Sequence, residues 1–196
     1  MKKTSYSLGV LLGSNLAGQV ETEGLDFEAL AKGVVDVLKD ADMEMTVEEA
    51  NQNAQVFLQE SAAKMAMKAQ EMESGFMAEN SERDGVVSNP SGLQYEILKK
   101  GTGNVPKIHQ KVVAHYEGRL LTGKVFDSSY KRGQPATFPV NGLIKGWQEA
   151  LQIMPVGSKW RLYIPSNLGY GARGAGNDIP GNATLIFDLE LLDITR

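Results

Sequence analysis

All seven prolines of this 196-residue chain lie at Pro90 or later. Proline removes a backbone donor and breaks a helix interior. Residues 1–89 are therefore free to form long uninterrupted helices, while the rest must be built from shorter elements joined by turns. Both tryptophans and both histidines also fall in the second part. Charge divides at the same point: residues 1–89 carry 7 basic and 16 acidic side chains (net −9), and 90–196 carry 13 and 8 (net +5). Opposite signs favour contact between the parts, but screening over about 8–10 Å limits the effect.

There is no cysteine, so disulfides, thiolate metal sites and cysteine nucleophiles are excluded. The net charge of −4 gives no electrostatic reason to expect nucleic acid as a partner. The opening MKKTSYSLGVLLGSNLAGQV has two lysines before an apolar stretch, as a signal peptide does, but Gly9, Gly13, Ser14 and Asn15 interrupt that stretch. Tyr6, Val10 and Leu11 are spaced instead along one face of a helix. No segment is long enough to cross a bilayer, so no membrane partner is expected. The expected compartment is the cytoplasm, with the periplasm as the alternative if a leader has been removed.

The first part reads as helix. Phe27, Leu30, Ala31, Val34, Val35 and Leu38 follow the i, i+3, i+4, i+7 spacing of a core-facing stripe, with Asp26 as its N-cap. Thr46 and Glu49 have capping-box spacing and open a second helix that runs to about Glu79 in strong helix formers. A helix of that length spans roughly 50 Å, more than two short helices can cover. It is either a stalk packed only where they reach it, or part of an exchange with a second chain. The second reading predicts a homodimer through residues 1–85. Methionines 43, 45, 65, 67, 72 and 77 offer an adaptable surface for unfolded clients, or simply core.

Gly85–Gly92 (GVVSNPSG) breaks the periodicity and reads as a junction. Beyond it, strands are predicted at Leu93–Lys99, Lys111–Leu121, Lys124–Ser128, Thr137–Val140, Ser158–Pro165 and Thr184–Thr195, with one short helix at Gly146–Ile153. The domains expected are thus a helical one at 1–84, a junction at 85–92 and a second domain at 93–196. The fold class is α+β: an all-helical domain with one stalk helix, then a curved antiparallel sheet wrapped around a short helix.

The run Arg161–Leu192, RLYIPSNLGYGARGAGNDIPGNATLIFDLELL, carries the functional signal. A strand leads into a loop holding Tyr170, and a strand with Leu185, Phe187, Leu189 and Leu191 on one face follows. An aromatic hydroxyl above an aromatic-lined sheet, with no metal ligands and no nucleophile, suits binding of an apolar group. Prolyl isomerisation needs that combination.

With VVAHYEGRL (112–120), VFDSSYKRGQP (125–135) and GLIKGWQEAL (142–151), this run resembles the FK506-binding-protein family of peptidyl-prolyl isomerases over about 105 residues. The first part is similar to the dimerisation region of the bacterial Mip-like and FKBP22-like members, in its helical pattern and the YSLGVLLGSNL opening. The resemblance implies a cofactor-free enzyme with no metal. Asp127, Tyr170 and Phe126 would carry catalysis, and Tyr116, Leu143, Ile144, Trp147, Ile179 and Phe187 would bind substrate. Trp147 would be the floor, with Tyr116, Phe126 and Phe187 as walls. The Ile144 N–H and the Tyr170 hydroxyl would hold carbonyls, and Asp127 would sit near the twisting amide. Partners implied are proline-containing unfolded or partly folded proteins and macrolides such as FK506 and rapamycin. Departures are Ala136 in place of an aromatic, Asp178 in place of an apolar residue, and a small Ala175.

Taken singly these residues are less telling. Trp147 alone reads as core, Tyr170 as an exposed loop residue, Asp127 as a turn carboxylate. His115 falls on the face opposite Tyr116 and reads as structural, and His109 as solvated. GYGARGAG lacks the Gly-Lys-Ser/Thr ending of a phosphate loop. Lys99–Lys100 and Lys131–Arg132 read as solvated charge pairs. The runner-up function is a holdase-type chaperone that binds exposed apolar or proline-containing segments.

Overall fold

The computed structural model describes residues 1–195, and its contacts group the chain into Met1–Lys68 and Ala69–Arg196. Among the described residues there are four α-helices and seven strands. The first group holds α1 (Lys2–Ala17), α2 (Phe27–Leu38) and the larger part of α3 (Val47–Ser81).

Both expected helix starts are present. The Asp26 carboxylate accepts the N–H groups of Glu28 and Ala29 at 2.9 and 3.0 Å. The Thr46 N–H donates to Glu49 Oε2 at 2.9 Å, and the Glu49 N–H donates to Thr46 Oγ1 at 3.2 Å, closing the capping box. With its donors satisfied at the start and no proline inside, α3 runs for 35 residues, about 50 Å.

The stripe on α2 was expected to face a core. It does not: α2 buries none of its residues, and Phe27 and Leu38 are 62% and 78% exposed. Neither does α1 bury any. Within Met1–Lys68 only Val20 and Ser61 are buried, and Ser61 accepts the Glu21 N–H at 2.6 Å. No described helix is long and apolar enough to cross a membrane.

The second group is organised by an open antiparallel sheet. Its strands are β1 (Val86–Ser88), β2 (Gln94–Lys99), β3 (Lys111–Leu120), β4 (Val125–Ser128), β5 (Ala136–Pro139), β6 (Lys159–Ile164) and β7 (Leu185–Thr195). The order is β1-β2-β6-β7-β3-β4, with β5 also on β3. α4 (Lys145–Leu151) lays Trp147, Ala150 and Leu151 on the sheet. Alternation decides the buried face. Val112, Ala114 and Tyr116 of β3 point inward, as do Leu185, Phe187, Leu189 and Leu191 of β7.

The Gly85–Gly92 segment is not a plain junction. Its Val-Val pair forms β1, in register Val86↔Glu96, Val87↔Tyr95 and Ser88↔Gln94. The breakers Asn89-Pro90-Ser91-Gly92 are the hairpin turn, in which the Asn89 N–H donates to Leu93 O at 2.8 Å. The turn residues act locally, whereas the β-branched Val86–Val87 pair becomes strand because β2 lies beside it. The end of α3 packs on this side of the sheet: Phe76 lies 5.9 Å from the Tyr163 ring, and the buried Asn80 donates to Gln94 Oε1 at 2.7 Å.

Candidate active site

β3, β4, β5, β7, α4 and the β6–β7 loop surround a cavity of about 490 Å³. All nine residues singled out from the sequence line it: Tyr116, Phe126, Asp127, Leu143, Ile144, Trp147, Tyr170, Ile179 and Phe187.

The apolar walls are a box of rings packed edge to face. Trp147 is 3% exposed, and its ring lies 5.3 Å from Tyr116 and 5.2 Å from Phe187, at interplanar angles of 83° and 84°. Phe126 meets Phe187 at 5.5 Å and 83°. Edges carry positive charge and faces negative, so this arrangement is the favoured one for ring pairs. Gly118 makes it possible. A Cβ there would lie 2.5 Å from Phe187 and 2.6 Å from Phe126, so any side chain would push two walls apart.

Three residues that line the cavity carry unspent donors. Ile144 caps α4 without donating its own N–H to any described residue, because the first amides of a helix have no intrahelical acceptor. The buried Trp147 Nε1–H has no partner among the described residues. Tyr170 is 40% exposed, and no described group hydrogen-bonds its hydroxyl. Burial, and after it the Asp127 charge, pushes the Tyr170 hydroxyl above the usual tyrosine value, so it stays a neutral donor.

Asp178 lies at the rim, and Asp127 is the carboxylate held among the rings of the wall. Its Oδ2 accepts the Tyr116 hydroxyl proton at 2.5 Å, and its Oδ1 accepts from Arg132. Arg132 also donates to the Tyr116 oxygen at 2.8 Å, with its guanidinium 5.5 Å from the Tyr116 ring centroid. Burial alone would raise the Asp127 carboxyl, but the Tyr116 hydroxyl and the Arg132 guanidinium outweigh it and hold the carboxyl below the usual value. Burial and the Asp127 acceptor keep Tyr116 protonated well above neutrality.

Arg132 is exposed, as expected, but its charge is paired with Asp127 rather than free. The sequence signal was available, since it stands five residues after Asp127, but charge pairs on loops usually face water. Phe138 and the backbone of Gly142 and Gly176 also line the cavity and were not foreseen. Ala136, expected to leave the pocket short of an aromatic, packs against the core rather than the cavity, and Phe138 two residues on presents its ring 6.0 Å from Trp147. Asp178 is on the rim as expected, paired with Lys124 Nζ at 2.8 Å. His115, on the other face of β3, lies 2.9 Å from Ser129 Oγ and stacks on Tyr130.

An apolar box with unspent donors and one locked carboxylate can desolvate a ring and hold the polar groups beside it. Comparison with known proteins gives this geometry a context. Residues 103–192 match the family model described as FKBP-type peptidyl-prolyl cis-trans isomerase, and residues 1–97 match the domain amino terminal to it. The chain is 42% identical to the FKBP-type 22 kDa peptidyl-prolyl cis-trans isomerase of Escherichia coli over 195 residues, 98% of this chain and 94% of the relative. It is 40% identical to peptidyl-prolyl cis-trans isomerase Mip of Coxiella burnetii over 201 residues, 99% and 86% of the two chains. The crystal structure of FkpA from Escherichia coli superposes with a TM-score of 0.72 at 34% identity, over 98% of this chain and 95% of that one.

Proposed function

The chain belongs to the FKBP-type peptidyl-prolyl cis-trans isomerases, and from that premise we propose that it turns X–Pro bonds of unfolded or partly folded proteins inside the aromatic cavity. The observation that carries the reading is the pairing of a ring-lined box with the unspent donors of Ile144 and Tyr170 on its lining.

Rotation about the bond is opposed by amide resonance, with a barrier of roughly 18–20 kcal/mol. No bond breaks, so the protein's task is to bind the twisted state better than the planar one. The prolyl ring lies over Trp147, between Tyr116, Phe126 and Phe187. As the amide twists, its nitrogen becomes pyramidal and its dipole shrinks, so an apolar pocket favours it. The Ile144 N–H and the Tyr170 hydroxyl hold flanking carbonyls so that a single bond turns. The twisted carbonyl, no longer fed by nitrogen, is more electrophilic at carbon, and the Asp127 carboxylate faces it as a fixed negative charge. Arg132 and Tyr116 keep that charge in place.

Exchange NMR of a short proline peptide tests this, with and without rapamycin. Acceleration suppressed by the macrolide supports the pocket and the enzyme together. No acceleration by a folded sample would overturn the reading.

The uncovered side chains of α1 and α2 belong, in this reading, against a second copy of the chain. Light scattering at micromolar concentration is expected to give twice the mass of the 21.3 kDa chain, and a single-chain mass would end the dimer proposal. A second activity is favoured by Met43, Met45, Met67 and Met72, all exposed. Flexible thioethers adapt to irregular apolar surfaces, which suits a holdase for unfolded clients. Client protection that survives both Asp127→Ala and Tyr170→Phe would separate it from isomerisation.

A further inference from the structure

Tyr170, Ala175, Gly176, Asp178 and Ile179 of the cavity wall sit on one long loop between β6 and β7. The loop is tied to itself. Ala175 and Ile179 exchange both backbone hydrogen bonds, at 2.9 and 3.1 Å, and the Asn182 N–H donates to Gly171 O at 2.8 Å. Gly174 and Gly181 approach the opposite side of the loop so closely that a Cβ on either would lie 2.2 Å from a carbonyl oxygen. Its regular structure is two single turns, Ser166–Leu168 and Gly171–Arg173. Between its ends the loop is seated by Ile179, buried in the core, and by the Lys124–Asp178 pair at 2.8 Å; where it leaves β6 and enters β7 its place is set by hydrogen bonds.

Both ends are held by one carboxylate. Glu73, on the last third of α3, accepts the Ser166 N–H at 2.6 Å and the Thr184 hydroxyl at 2.9 Å on Oε2, and the Ser166 hydroxyl at 3.3 Å on Oε1. Ser166 opens the loop, and the buried Thr184 directly precedes β7. Hydrogen bonds to an ionised acceptor are roughly twice as strong as neutral ones. This clamp is the only side-chain link among the described residues that gathers the entrance and the exit of the loop on one group.

We propose that Glu73 is a positioning residue for the isomerase reaction, fastening both ends of the Ser166–Thr184 loop so that Tyr170 and Ile179 stand at the cavity edge. The last turns of α3 then belong to the catalytic apparatus. The proposal rests on the isomerase reading for its kinetic readout, and on the clamp alone for its structural one.

The test compares the full-length chain with Glu73→Ala and Glu73→Gln on a tetrapeptide substrate, together with hydrogen exchange of residues 167–183. A displaced wall weakens substrate binding, so KM is expected to rise about tenfold in Glu73→Ala, within the range that small misplacements produce, with kcat changed less than about twofold. Glu73→Gln falls between, since its amide keeps one acceptor and turns a donor towards Ser166 or Thr184. Exchange in 167–183 speeds up in both. Partial unfolding would reduce the active fraction and so lower kcat alone. That result, or an unchanged KM, overturns the proposal. If Glu73→Ala does not fold, Thr184→Val decides: a KM rise of about threefold supports the clamp, and an unchanged KM refutes it. If the wild-type chain shows no isomerisation, the functional reading fails by itself, and exchange in 167–183 still decides whether Glu73 holds the loop.

Discussion

Residues 1–68 and 69–196 are both rich in apolar side chains, yet they use them in opposite ways. The first group leaves the stripe of α2 open and buries two side chains, Val20 and Ser61. The second closes Trp147, Tyr116 and Phe187 into a continuous core with Leu162, Leu185 and Leu189. The difference follows from geometry. Helices that lie beside few neighbours have nowhere to turn an apolar face, whereas a sheet offers one face to a helix and fills it by alternation. A region with a finished core can hold a cavity to close tolerance; a region with open stripes can take a partner.

The comparison breaks most directly through a large-to-small change in each region. Phe187→Ala removes a wall of the core and is expected to cost about 3–5 kcal/mol in urea denaturation. Val35→Ala, on the exposed stripe, should cost under about 1 kcal/mol when the chain is dilute. Equal costs would mean that α2 is covered. A truncation sharpens where the second region begins. A chain starting at residue 69 keeps Phe76, Asn80 and β1, and one starting at 93 loses them. Leaving the buried Gln94 unpaired costs about 1–3 kcal/mol, so the shorter chain should have the lower urea midpoint; matching midpoints would place the boundary nearer 93.

Acid sets apart the locked carboxylate. Asp127 is depressed in the folded state, so the stability it contributes is present above the unfolded value of about 3.9 and is lost as pH falls through the lower folded value. Turnover should hold level from pH 8 down to about 5. Arg132→Ala leaves burial less opposed, raises the Asp127 carboxyl and moves the acid limb to higher pH; an unmoved limb would show that Arg132 does not hold the Asp127 charge. The smallest effect is expected at the rim. Lys124 and Asp178 are both more than half exposed, so Lys124→Ala should change stability by under about 0.5 kcal/mol, and a larger loss in a urea titration would show that the pair is held more rigidly than its exposure implies.

Much of this molecule was legible in the sequence because the relevant signals are local. The Asp26 cap and the Thr46–Glu49 box are satisfied within three residues of themselves. Period-two alternation puts Leu185, Phe187, Leu189 and Leu191 of β7 on one face from the sequence alone, and these are the buried ones. The nine cavity residues could be named from the family motifs, and the fold gathers them around one space. What waited for the tertiary structure depends on distant chain meeting chain. Val86–Ser88 is a strand only because β2 lies beside it. Phe138 joins the rings because β5 pairs with β3, and Arg132 is spent on Asp127 because the segment between β4 and β5 brings it there. Glu73 reads as one more solvated helix carboxylate until residues 93 and 111 positions away arrive at its carboxylate. Patterns of period 2 and 3.6 report which face of an element is apolar; which element meets that face is decided by closure of the whole chain, and no local pattern encodes it.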